Sequence, residues 1–365
     1  MRFHRTLAVA LATAGVTLAA CGGSSDSGSA GSSTNSSAPS SAPSNSASSS
    51  SASSSSTSSS QYPITIEHAL GTTVIEAAPE RVATVNWANH EVPLALGVVP
   101  VGMAAATFGD DDTDGLLPWV KEKLDELGAP TPVLFDETDG IDFEAVADTD
   151  PDVILAAYSG LTQEDYDTLS EIAPVVAYPE APWSTPWREM IEVNSAAIGK
   201  AAEGEALIAD IEQDIDETVA AHPDIEGKAT MFLTHVDTSD LSEVSFYTSH
   251  DTRAGFFTDL GLTTPQSVVD ASAGEVKFSG TISAEQVDMF DDVQIIVSYG
   301  DDELVTALKA DPLLSRMPAV ANDAIVLLPG TSPIGTAANP TPLAISWVLK
   351  DYVDLIDEAA QKSTS

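Results

Sequence analysis

"KAAEGEALIADIEQDIDETVAAH", residues 200–222, is the stretch on which the reading of this chain turns. Ala206, Leu207, Ile208, Ile211, Ile215 and Val219 recur mostly at helical spacing with acids between them, which predicts an amphipathic helix stopped by His222-Pro223. At about 1.5 Å per residue it runs ~33 Å, the height of a small lobe. It reads as the longest helix of the chain, and it lies midway through the part with globular composition. On both sides short β-rich runs alternate with helical stretches. The expectation is an α/β protein of two Rossmann-like lobes with parallel sheets, 62–199 and 223–365, joined by a single helix over 200–222.

Before that helix, "RVATVN" (Arg81 to Asn86) reads as a buried strand, "HEVPLALG" as a short helix closing at Gly97, and "VVPVGMA" as a second strand. "DVILAAY" (Asp152 to Tyr158) and "PVVAY" (Pro174 to Tyr178) follow, separated by a helix at Thr162, where Thr162 and Asp165 have capping-box spacing. Thr185-Pro186 predicts an N-cap followed by proline at the first helical position. Four strands with intervening helices make a parallel sheet. After the long helix come "ATMFLTHV", "SFYTS", the helical "AGFFTDLGL", "VQIIVSY", "AIVLLPG" and a terminal helix from about Pro342.

The first residues carry an address. Arg2 and Arg5, an apolar run from Leu7 to Leu18 and then small residues have the layout of a signal peptide, and the run is too short to span a bilayer. Leu18-Ala19-Ala20-Cys21 resembles a bacterial lipobox, which makes residues 1–21 a lipoprotein signal and Cys21 the site of lipidation. Cys21 is the one cysteine of the chain, so the fold must rest on its core without disulfides. Residues 22–61 are almost entirely Ser, Ala, Gly, Thr and Asn with some Pro, a disordered tether. A coil of ~40 residues reaches roughly 35 Å. The 14 Lys+Arg against 56 Asp+Glu give a net charge of −42. Such a surface repels phosphate backbones, and nucleic acid is excluded as a partner.

A family resemblance runs through the rest. "PERVATVN…LALGVVPVG", "IDFEAVADTDPDVILAAYSGLTQEDYDTLSEIAPVVAYP", "PWSTPWREM…AAIG", "FFTDLGL", "ISAEQV…VQIIVSYG" and "RMPAVANDAIVLLPG" together cover most of Pro79 to Asp354. In that order they resemble the iron-siderophore class of ABC-transporter substrate-binding lipoproteins, the class III fold whose lobes share one long helical backbone. The resemblance implies capture of a ferric siderophore between the lobes and its delivery to an ABC permease and its ATPase. It further implies a monomer anchored at Cys21 on the extracytoplasmic face of the cell membrane, with no cofactor. Haem, cobalamin or a free metal ion remains the alternative ligand.

Ligands of parallel α/β sheets bind outside the carboxyl ends of the strands, which points to Asn86 and Trp87 after the first strand, Phe108 after the second, Tyr158 and Ser159 after the third, and Trp183 with nearby Arg188 after the fourth. Flat aromatic faces there suit an aryl or macrocyclic ligand, although Trp also serves lobe packing. Arg253 enters a helix N-terminus, a place that favours an anion. The family often has an arginine there, while Asp251 and Asp259 offer it plain ion pairs, as Glu192 does for Arg188. Arg81 reads as structural and Arg316 as outward. With cations so scarce, and "YSG" where other members carry arginine, a neutral or weakly charged hydroxamate complex, or haem, fits better than a triply negative catecholate. Tyr299 and Tyr247 are candidates for stacking on the ligand or filling an open iron position.

His90, His235 and His250 lie on separate strand-end loops and raise a bare-metal or haem-ligating alternative. Glu144 and Glu285 stand two residues after the caps Asp142 and Ser283, one in each lobe. A helix dipole alone favours acids there, and Ser283 with Gln286 has capping-box spacing; the resemblance implies that both glutamates dock arginines of the permease. No nucleophile elbow, phosphate loop, dinucleotide fingerprint or metalloprotease pattern occurs. Ser249-His250-Asp251 is triad-like by letter only, because a triad is a matter of geometry. The chain does not read as an enzyme.

Overall fold

The structure, a computed structural model, describes residues 62–274, 277–330 and 332–363. The signal segment, Cys21 and the serine-rich tether lie outside the described residues. The chain enters through an antiparallel hairpin, β1 (Ile64–His68) and β2 (Gly71–Ile75), with Ile64 opposite Ile75. The hairpin docks on the first lobe through Ala69 N–H to the Tyr178 carbonyl (3.0 Å) and the Thr73 hydroxyl to the Val175 carbonyl.

The first lobe carries a five-stranded parallel sheet in the order β5-β4-β3-β6-β7. Its strands are β3 (Val82–Thr84), β4 (Gly102–Ala104), β5 (Val133–Phe135), β6 (Val153–Leu155) and β7 (Val175–Val176). β5 is the strand that the expected four omitted; it is three residues long and follows Pro130 and Pro132. The intervening helices are α1 (Glu91–Ala95), α2 (Pro118–Leu127), α3 (Phe143–Asp148), α4 (Gln163–Ser170) and α5 (Trp187–Ala197). Thr162 and Asp165 close the expected capping box on α4. The expected cap on α5 is corrected: the helix starts at Trp187, and the Thr185 hydroxyl donates instead to the Ala157 carbonyl at 2.6 Å.

α6 (Ala201–Ala220) crosses to the second lobe, burying Ile211 and Ile215. The second sheet runs β10-β9-β8-β11-β12, built from β8 (Thr230–Leu233), β9 (Glu243–Tyr247), β10 (Ser279–Ser283), β11 (Ile295–Tyr299) and β12 (Ile325–Leu328). β8, β11 and β12 are parallel, while β9 and β10 add an antiparallel edge. Its helices are α7 (Thr252–Asp259), α8 (Gln266–Ala271), α9 (Asp302–Ala310), α10 (Pro318–Ala321) and α11 (Pro333–Ala337). Residues 284–290 form a tight 3-10 turn rather than the α-helix that the Ser283/Gln286 spacing predicts, and the Ser283 hydroxyl accepts from Glu285 N–H.

A last helix, α12 (Pro342–Lys362), has 21 residues against 20 in α6, so α6 is not the longest. Val92, Trp119 and Ile191 of the first lobe, Ile211 and Ile215 of α6, Phe232 and Val297 of the second lobe, and Val348, Tyr352 and Ile356 of α12 share one buried cluster. The two sheets are therefore joined by a continuous core: α6 alone carries the chain between the lobes, and α12 packs across both beside it. Burial of that apolar surface, at roughly 25 cal/mol per Å², is the main force setting their mutual position.

Candidate ligand-binding cleft

In each sheet the winding reverses once. The first runs outward from β3 to β5 and then restarts at β6 on the other side; the second runs from β8 to β10 and restarts at β11. Such switch points leave crevices at the strand ends. Both crevices open on one cavity of about 360 Å³, within the usual range for small-molecule pockets of about 300–1,000 Å³. Seven strands send a side chain to its wall: Trp87 after β3, Phe108 after β4, Tyr158 after β6, Trp183 after β7, His235 after β8, Tyr247 from β9 and Tyr299 from β11. Arg253, Phe278, Thr336 and Asn339 complete it.

Trp183 holds its backbone at φ 58°, a left-handed conformation that costs a bulky residue on the order of 1 kcal/mol or more. Its N–H is fixed to the Ser159 carbonyl at 2.9 Å, and its indole meets Tyr158 edge-on at 5.5 Å. Gly160 makes room for it, since a Cβ there would lie 2.3 Å from Trp183 Nε1. Trp87 is set by buried Asn89, whose amide donates to the carbonyls of Val85, Trp87 and Tyr158 and accepts from Tyr158 N–H. Phe108 reaches across to Tyr299 (6.3 Å) and His235 (6.4 Å), both edge-on, and His235 stacks on Tyr299 at 4.7 Å. Beside it Gly109, at φ +80°, lies against Thr336 so closely that a Cβ would fall 1.9 Å from Thr336 Oγ1. The lobes touch there.

The floor is polar. The Thr252 hydroxyl donates to Asn339 Oδ1 (2.9 Å), and Asn339 Nδ2 donates to the Tyr158 hydroxyl (3.4 Å). Burial raises the phenol pKa of Tyr158, Tyr247 and Tyr299, against the pull of Arg253, so all three remain protonated donors at neutral pH. Arg253 Cζ sits 4.0 Å over the Tyr247 ring. Its Nε and Nη2 each donate to Asp251 at 3.0 Å, and its backbone N–H is capped by the same carboxylate. Burial works against the Arg253 charge, but Asp251 and the tyrosines outweigh it and hold the guanidinium protonated. Burial likewise pushes the Asp251 carboxyl up while Arg253 draws it back.

Six of the nine residues expected at the ligand stand on this wall: Trp87, Phe108, Tyr158, Trp183, Arg253 and Tyr299. Three do not. Asn86, at φ 58°, faces a small void behind Trp87, where its N–H and amide are taken by Glu137 and its Oδ1 by Gly160 N–H. Ser159 is fully buried and contributes only its carbonyl. Arg188 is spent on Glu212 (2.6 Å) and Asp259 (2.9 Å). Trp187 is core, its indole N–H also on Asp259 (2.9 Å).

Arg81 is structural, bound to the carbonyls of Thr149 and Asp150, and Arg316 pairs with Asp288 on the surface. Glu144 and Glu285 are exposed, one in each lobe. His90 is buried beside the void behind Trp87, and burial lowers its pKa to about 4. His250 is exposed and lines a different hollow from His235, so the three histidines do not converge. Thr336, Asn339 and Phe278, with the positioning residues Asn89 and Glu137, escaped the sequence reading. Asn89 and Glu137 stand among other polar residues, in "NWANHE" and "FDETDG", so no local pattern singles them out.

The sequence profile of a family described as periplasmic binding protein matches residues 82–331. PiaA of Streptococcus pneumoniae TIGR4, solved in complex with ferrichrome, is 43% identical, with a TM-score of 0.79 over 82% of this chain and 100% of that one. A periplasmic solute binding protein of Mycobacterium smegmatis str. MC2 155 is 25% identical, with a TM-score of 0.65 over 81% of this chain and 98% of its own. YfiY of Bacillus subtilis (strain 168), a probable siderophore-binding lipoprotein, is 30% identical over 155 residues, 42% of this chain and 44% of YfiY. The chain thus spans less than half the length of the curated relative it matches.

Proposed function

The chain belongs to the periplasmic binding protein family, a family of binding proteins and not enzymes, and from that premise we propose that it captures a ferric siderophore in the inter-lobe cavity and delivers it to an ABC importer. The observation that carries the reading is the wall itself. Seven of its eleven side chains are the aromatic residues Trp87, Phe108, Tyr158, Trp183, Tyr247, Phe278 and Tyr299, and its single Arg or Lys is already paired. Large rigid rings supply contact area at low entropic cost, and a wall with little net charge suits a chelate whose ligands balance ferric iron. Ferrichrome, bound by the similar PiaA, is the chemical kind proposed here. Asn86, Ser159 and Arg188 act behind this wall and not on the ligand.

Around that site the proposal extends to the whole chain. Cys21 carries the lipid, residues 22–61 tether the folded body as a monomer to the extracytoplasmic face of the membrane, and Glu144 and Glu285 meet the permease and its associated ATPase. Exposed charges of this kind steer and orient a partner more than they hold it, which fits a carrier that must release. The test is a titration of intrinsic tryptophan fluorescence with ferrichrome, a ferric catecholate, haem, cobalamin and free zinc. Saturable quenching by a ferric chelate is expected. Saturation by zinc, haem or cobalamin alone would overturn the proposal.

A further inference from the structure

We propose that Asp251 sets the charge of the cargo: its carboxylate, placed behind Arg253, cancels the one guanidinium on the wall and reserves the cavity for electroneutral ferric chelates over anionic ones. The inference rests on the ferric-siderophore reading above.

The Arg253 side chain is 15% exposed and lines the cavity, whereas the Asp251 side chain is 1% exposed, does not line it and borders a separate hollow. Asp251 also caps α7. Asn, Ser or Thr caps a helix about as well as Asp does, so capping leaves the negative charge itself unexplained. Burying that charge carries a desolvation cost. What the charge does is occupy the guanidinium's Nε/Nη2 edge, the fork that reads carboxylates and phosphates bidentately. Nη1 makes no hydrogen bond among the described residues and is left to meet a neutral carbonyl-type acceptor. No other Arg or Lys lines the cavity, so an anionic chelate finds no uncompensated cation there. Three singly charged hydroxamates neutralise ferric iron; three doubly charged catecholates leave it strongly anionic.

The experiment is a fluorescence titration of wild type and Asp251→Asn with ferrichrome and with a trianionic ferric tris-catecholate at about 0.15 M salt, where charges beyond ~8 Å are largely screened. Wild type should prefer the neutral chelate. In Asp251→Asn the ratio of the two dissociation constants should move toward the anionic chelate by at least roughly tenfold, the scale of one uncompensated charge within about 7 Å at intermediate dielectric. An unchanged ratio in a folded variant overturns the proposal. If Asp251→Asn does not fold, Asp251→Ser, which retains a capping oxygen, gives the same readout. The wild type decides by itself too, because equal affinity for both chelates overturns the role of Asp251 while leaving the siderophore reading in place. Failure to bind either chelate removes the premise and the proposal together.

Discussion

Glu91, in the first turn of α1, accepts a hydrogen bond at 2.8 Å from the backbone N–H of Leu343, in the first turn of α12. Trp119 Nε1 donates to its other oxygen at 2.7 Å, and the carboxylate is fully buried. Burial pushes its pKa up while these donors pull it down. The start of a 21-residue helix presents unpaired N–H groups and the positive end of its dipole, and Glu91 satisfies both from the opposite lobe. Together with the pairing of Arg188 and Trp187 to Asp259 and the Tyr158–Thr252–Asn339 floor, it fastens the lobes at three places.

Glu91→Ala should lower unfolding free energy by about 2–4 kcal/mol, because it strands buried donors as well as deleting hydrogen bonds. Glu91→Gln, able to keep an acceptor, should lose less. Urea denaturation measures both, and an unshifted midpoint for Glu91→Ala would show that the tie contributes nothing.

His90 gives stability a pH dependence of known sign. Its folded pKa is lowered to about 4 from 6.5 by burial, so between those values the unfolded chain binds the proton and the folded one does not. Stability contributed by the neutral ring is complete above pH 6.5 and is lost as the pH falls, by about 2 kcal/mol between pH 7 and pH 5. His90→Gln should remove that increment from the difference between denaturation curves at the two pH values. A variant with the same pH slope as wild type would contradict the assignment.

Gly160→Ala should displace Trp183 and weaken ligand binding at least about tenfold, a loss of ~1.4 kcal/mol. Gly255→Ala is the control: it lies within α7, its Cβ meets nothing within 4 Å, and Ala should stabilise the helix by about 0.5–1 kcal/mol. Calorimetric titration of both variants checks the pair, and equal affinities would show that the Trp183 position is immaterial.

Arg188→Ala should leave ligand affinity within about twofold, since Arg188 faces Glu212 and Asp259, and should cost only about 1 kcal/mol because these pairs are partly exposed. A tenfold loss of affinity would restore Arg188 to the ligand wall.

Glu144→Ala and Glu285→Ala should keep full ligand affinity while reducing delivery. Uptake of radiolabelled ferric chelate into cells or proteoliposomes carrying the importer should fall more than about tenfold in the double variant, as the loss of steering and register charges predicts. Normal uptake would place docking elsewhere.

Much of this architecture was legible because strands and their following aromatics sit together in sequence. "RVATVNW" and "DVILAAYS" contain both a strand and the residue it delivers to the cavity. The hairpin β1–β2 was missed although "ITIEHALGTTVIE" alternates around Gly71, and β5 because "VLF" stands alone between Pro132 and Asp136, whereas the equally short β3, β4 and β6 lie in longer apolar runs. α12 was recognised but not its place against both lobes, since a helix's partners are set by packing that its own periodicity does not name. Thr336 and Asn339 join the wall only through the chain's return after β12, and Phe278 only through the antiparallel edge. Pairing decided the arginines. Arg188 and Arg253 both stand in the first turn of a helix beside acids, and only coordinates distinguish the one turned outward from the one on the cavity.

Because four aromatics of the wall, Trp87, Phe108, Tyr158 and Trp183, stand on loops beyond the carboxyl ends of strands, much of the selectivity of this protein is separable from its foldability. The β ladders end before Trp87, Phe108, Tyr158 and Trp183 begin, so exchanging these rings leaves the pairing registers intact. A lineage could in this way retune its diet one loop at a time, keeping the same frame while the chelates offered by its neighbours change.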